Sequence, residues 1–141
     1  MAKTINTNID DGILNFTFTN NEGEVFSSFK LNPTDINVTA RAEEVIEYFK
    51  QFEDSIQKAT SGKEMAELNK QIEDKINYLL GYEASRDLFK EPITATTVFG
   101  NGQVFVCIVL DKIVEAIAPV IEKRKKKMQA AANKYTEKYI K

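Results

Sequence analysis

Between Val104 and Ile121 the sequence sets Val104, Phe105, Ile108, Val109, Ile113, Ala116, Ile117, Val120 and Ile121 at helical spacings. Together they spread over more than half the circumference of one helix. A helix this apolar must sit centrally in a bundle or share its surface with another subunit. The rest of the chain has to supply the cover. The spacing predicts this helix over residues 102–127, with a kink rather than a break at Pro119, because no turn former precedes it.

The residues before that helix decide between a nucleotide enzyme and a binding protein. Residues 97–105 read TVFGNGQVF. A dinucleotide fingerprint needs a third small residue where Phe105 stands, and a Walker loop needs a terminal lysine and hydroxyl that are absent here. The chain also lacks the other parallel strands on which such loops sit. A helix start fits better, with Asn101 as N-cap, Gly100 and Gly102 giving a tight turn, and the helix opening at about Gln103.

Composition narrows the chemistry further. The chain contains no histidine, which removes the commonest acid–base group at neutral pH and the commonest metal ligand. Cys107 is the single cysteine and lies inside an apolar run, so it reads as a small buried hydrophobe. A disulfide within the chain is impossible, which fits a reducing compartment. MAKTINTNIDD has no apolar core, so no signal peptide is predicted, and VFVCIVL is far too short to span a bilayer. These features predict a soluble, cytoplasmic, single-domain protein.

Two short runs open the chain. ILNFTFT sets Leu14, Phe16 and Phe18 on one face of a strand. EVFSSFKL sets Val25, Ser27, Phe29 and Leu31 on one face and Phe26 on the other. NNEG between them, with Gly23 available for positive φ, predicts a β-hairpin over residues 12–31 after a flexible segment 1–11. After NPTD, the residues Val38, Ala42, Val45, Phe49, Phe52 and Ile56 form one helical stripe, predicting a helix over 37–59. Glu43 and Glu47, one turn apart, are read as a solvated face and not as a metal or acid–base pair. SGKE is a capping box, Met65, Leu68, Ile72, Ile76 and Leu79 are the buried stripe of a helix over 62–80, and Gly81 ends it. EASRDLFKEP adds a short helical segment stopped by Pro92. The predicted class is α+β, mainly helical. The hairpin packs on a bundle over residues 37–127, and a basic, helical tail follows over 128–141.

Charge is unevenly placed. Residues 123–141 hold Lys123, Arg124, Lys125, Lys126, Lys127, Lys134, Lys138 and Lys141 against Glu137, a balance of +7. With a net charge of −2, the remainder carries −9. The cations, with Tyr135 and Tyr139 nearby, could grip nucleic acid, but an acidic body without a nucleic-acid motif favours a solvated tail or protein contact.

The order of these parts resembles the small tail assembly chaperones of long-tailed bacteriophages of Gram-positive hosts. The matching positions are Asn32, Pro33, Asp35, Arg41, Gly81, Leu88, Phe89, Phe99 and Gly100, within roughly residues 12–122. The LLGYEASRDLF break and the lysine-rich tail depart from the pattern. The resemblance implies a non-enzymatic protein without cofactor or metal. Such a protein coats the tape measure protein, helps recruit tail tube subunits in the host cytoplasm, and is absent from the mature virion. Self-association is expected, with Phe105, Val109, Ile113, Ile117, Lys123, Arg124, Lys125, Lys126 and Lys127 as interface residues, since the last helix carries more apolar surface than two helices and a hairpin cover easily. A small phage-encoded inhibitor of one host protein is the competing class, and a carboxylate or magnesium enzyme the least favoured.

Overall fold

A computed structural model describes residues 2–59 and 61–139, without the side chains of Glu53, Ile56, Gln57 and residues 135–139. The expected contributions of Ile56, Tyr135 and Tyr139 therefore lie outside the described residues. The chain is α+β and mainly helical. Strands β1 (Leu14–Thr19) and β2 (Val25–Leu31) lead to helices α1 (Ile36–Phe49), α2 (Phe52–Lys58), α3 (Gly62–Leu80), α4 (Ser85–Leu88) and α5 (Phe105–Tyr139).

The two strands pair antiparallel, with Phe16 opposite Phe29 and Phe18 opposite Ser27. The Phe16 and Phe29 rings stack at 4.7 Å between centroids. The register slips between Phe18 and Thr19, which leaves Phe26 without a cross-strand partner. This bulge corrects the alternation read from sequence. An extra residue on one strand re-aims its side chain, and Phe26 comes to lie beside Phe18 and Phe105 on the core side. Ser27, also facing the core, is buried because its hydroxyl donates to the Leu88 carbonyl at 2.7 Å.

Asp35 caps α1 by accepting from Asn37 N–H. The single helix expected over 37–59 is two, because the chain tightens at Lys50 and Gln51. Lys50 stays right-handed but donates to Glu47 O, three residues back, instead of to the carbonyl four back. Phe52 turns into the core, whereas Phe49 is only half-buried against its ring. The boundaries of α3 fall as expected. Ser61 Oγ accepts from Glu64 N–H, and Gly81 ends the helix at φ 80°. Arg41 Nε donates to the Leu79 carbonyl at 3.3 Å, laying a cation over the negative end of α3. Any Cβ at residue 81 would stand 3.1 Å from Arg41 Nη2.

Leu68, Ile72, Ile76 and Leu79 of α3 and Val38, Ala42 and Val45 of α1 fill the core. They meet Phe105, Val106, Val109, Leu110, Ile113 and Ile117 of α5 there. Cys107 is exposed, correcting the buried reading. The inward arc centres on residues 105, 109, 113 and 117, and position 107 points away from it. The helix runs on through Pro119 and through residues 128–139.

Replacing Phe105 by alanine should lower unfolding free energy by about 3–5 kcal/mol, since transfer and cavity terms add. Phe49→Ala should cost clearly less, because that ring is only partly buried. Urea denaturation of the two variants measures both.

Candidate functional site

The start of α5 is built by the loop before it. Val98 and Val104 form an isolated antiparallel bridge, and Gly102, at φ 83°, closes the turn between them. Asn101 Oδ1 accepts from Gln103 N–H, so it caps this turn and not the helix. The helix begins two residues later than predicted, with Val104 O accepting from Cys107 and Ile108. Its first free donors are already used: Phe105 N–H reaches Thr97 O at 2.9 Å, and Val106 N–H reaches Ala95 O at 3.0 Å. Asn69 of α3 pins that loop by accepting from both Thr96 N–H and its hydroxyl. An anion at a helix N-terminus needs those N–H groups. Here the chain's own carbonyls have taken them.

The predicted interface residues separate into two groups. Phe105, Val109, Ile113 and Ile117 are core residues, at most 4% exposed. For these four the expectation of uncovered apolar surface is thereby corrected; around Phe105 the 93–99 loop, Phe89 and the bulged Phe26 add cover that helix counting leaves out. Phe105 alone touches the rings of Phe18, Phe89 and Phe99 edge-on, at 5.3, 5.8 and 5.4 Å. The basic run behaves otherwise. Arg124 is half-buried and donates from Nη2 to the Thr34 carbonyl at 2.7 Å, fastening α5 to the turn between β2 and α1. Lys123, Lys125, Lys126 and Lys127 are exposed. So is every residue from 125 to 134, including Met128 at 67%. Past Arg124 the helix leaves the body as a cationic rod.

Concave surfaces accompany it, among them the following two. An open groove of about 690 Å³ has Phe18, Phe26, Ile93, Phe99, Phe105 and Ile108 as its apolar lining and Asn20, Asn21 and Asn101 among its polar lining. No sequence signal marks it, because it depends on the bulge that turns Phe26 inward. A second, of about 420 Å³, lies along α1 and α2, lined by Glu44, Glu47, Tyr48 and Phe52 among others. Tyr78 donates to Glu44 at 2.7 Å, which holds the tyrosine above its ordinary pKa. Glu47 pairs with Lys50 at 2.8 Å, with both side chains largely in water. Burial, then the neighbouring Asp74, raises the pKa of Glu73. Among the described residues no group of three or more acidic or cysteine side chains converges as metal ligands would. No described helix is long and apolar enough to cross a membrane.

The positions that carry the resemblance are junctions of the fold. Asn32 Oδ1 accepts from Thr34, Pro33 is buried, Asp35 caps α1, and Arg41 and Gly81 close α3. Leu88, Phe89 and Phe99 pack against the hairpin and α5. No protein-family model, curated protein or solved structure matches the chain.

Inorganic phosphate should leave the amide resonances of Gly102, Gln103, Phe105 and Val106 unshifted in a heteronuclear NMR titration, because their donors are occupied. Arg124→Ala should cost about 1 kcal/mol of stability through its charge-assisted bond. Lys125→Ala and Lys126→Ala should stay within about 0.5 kcal/mol. Thermal and urea melts distinguish the two classes.

Proposed function

We propose that this chain is a non-enzymatic tail assembly chaperone. It coats the tape measure protein of a long-tailed phage and helps recruit tail tube subunits, acting in the host cytoplasm and leaving before the virion matures. The observation that carries the reading is the exposed cationic stretch of α5 beyond Arg124. A helix that leaves its own domain offers a long side to another helix, and its lysines make that contact sensitive to salt and therefore reversible. A coat needs this property, because it must come off again. The acidic faces of α1 and α3, with Glu43, Glu44, Glu47 and Glu67 exposed, offer complementary surface on a neighbouring copy. Copies of the chain can thus line up along an elongated partner. The resemblance to phage tail chaperones supplies the partner's identity. The core positions Phe105, Val109, Ile113 and Ile117 support the contact only by holding the rod in place.

The test is co-expression with the candidate tape measure protein, together with light scattering across a salt series. The wild-type chain should keep the partner soluble and associate more at low salt. Lys125→Glu, Lys126→Glu and Lys127→Glu combined should remove both effects while leaving the circular dichroism spectrum unchanged. A strictly monomeric chain at low salt, giving no rescue of the partner, would favour a phage-encoded inhibitor of a host protein instead.

A further inference from the structure

The two edges of the hairpin are treated differently. On the β2 side, Lys30 N–H donates to the Tyr82 hydroxyl at 2.6 Å and the Ser27 hydroxyl donates to Leu88 O, so α4 and its approach cover that edge. On the other side β1 pairs, among the described residues, with β2 alone. The register shows which of its backbone groups face outward. Lys30 N–H points away from β1, so Asn15 and Lys30 form a non-hydrogen-bonded pair. By alternation the N–H and C=O of Asn15 and Thr17 point outward, at the free edge. Natural sheets blunt such edges with proline, lysine or inward charges. Residues 13–21, ILNFTFTNN, contain none of these.

The ends of the edge carry charge. Asp10 and Asp11 precede it, each fixed by accepting a backbone N–H two residues on, and Glu22 and Glu24 lie in the hairpin turn. All four are exposed. A second copy pairing antiparallel on this edge would bring Asp10 and Asp11 against Glu22 and Glu24. Like charges placed opposite one another destabilise cross-strand pairing. A strand with an uncharged middle and cations at both ends meets no such penalty. We infer that the β1 edge is an acceptor for one extended segment of a partner protein, uncharged over about six residues and flanked by lysines or arginines. Main-chain bonds to Asn15 and Thr17 hold it, and the four acidic residues select it. At the Thr19 end the added strand arrives at the groove lined by Phe18, Phe26 and Phe99, which receives an apolar side chain. The inference rests on the sheet and stands apart from the reading of α5.

The probe is a fluorescent peptide of alternating valine and threonine, about six residues long, with paired lysines at each end. Fluorescence anisotropy against the full chain should show saturable binding that weakens as salt is raised. The same peptide flanked by glutamates should bind at least about tenfold more weakly. Thr17→Pro removes an outward donor at an edge position where proline is tolerated, and it should abolish binding with the circular dichroism spectrum retained. Glu22→Lys with Glu24→Lys should narrow or reverse the preference between the two peptides without touching β1. Equal affinity for both peptides, binding to neither, or full binding by Thr17→Pro would overturn the inference. So would a concentration-dependent dimer that Thr17→Pro abolishes, because the edge would then serve a second copy.

Discussion

The ring of Phe105 is where the parts of this fold meet. It belongs to the first turn of α5, yet Phe18 comes from β1, Phe26 from β2, Phe89 from the end of α4, and Phe99 from the loop just before the helix. Edge-to-face aromatic pairs add roughly 0.5–1.5 kcal/mol each beyond the area they bury. They also fix angles, which aliphatic packing does less well. The hairpin alone is too small to be stable in water, and it persists because one of its faces closes on this ring. The outline of the aromatic groove follows from the same cluster.

At the helix start the geometry adds to what the motif already argued. Two glycines around an asparagine before an apolar run lack the third small residue and the terminal lysine of a phosphate loop, and the first donors of the helix are engaged as well. Phe105 and Val106 give theirs to Thr97 and Ala95, and the loop supplying those carbonyls is itself held by Asn69. A similar economy holds at the positions on which the resemblance rests. Asn32, Asp35, Arg41 and Gly81 end or begin elements. They specify how the chain turns, and what the protein contacts is set elsewhere.

Much of this was legible beforehand. Ser61 and Gly81 bound α3 because capping and positive φ are local requirements that few residues meet. The stripes of α1 and α3 were legible because burial on one face imposes a 3.6-residue period. The misreadings have non-local causes. Phe26 turned inward through a register slip that depends on the opposing strand. The tightening at Lys50 serves Phe52, whose place is set by the core and not by neighbouring residues. Cys107 sits amid apolar residues in sequence but on the outer arc in space, because Val106 and Leu110 carry the burial instead. Of the candidate surface, the cations of 123–127 were visible, but not that Arg124 would be anchored by Thr34 while its neighbours stay in water.

That anchor marks where tertiary support for α5 ends. From 125 to 139 the helix rises about 22 Å at 1.5 Å per residue. Over 125–134 the side chains lie in water, and a helical stretch without packing is marginal even when its residues favour the state. Lysine and alanine recur through 125–134, with Met128 and Gln129 between them, and that propensity keeps the balance near even. A partner lying along this stretch therefore captures a helix–coil equilibrium as well as a surface. Its occupancy would register as a gain in helicity, and conditions that melt the free rod would weaken the complex in proportion.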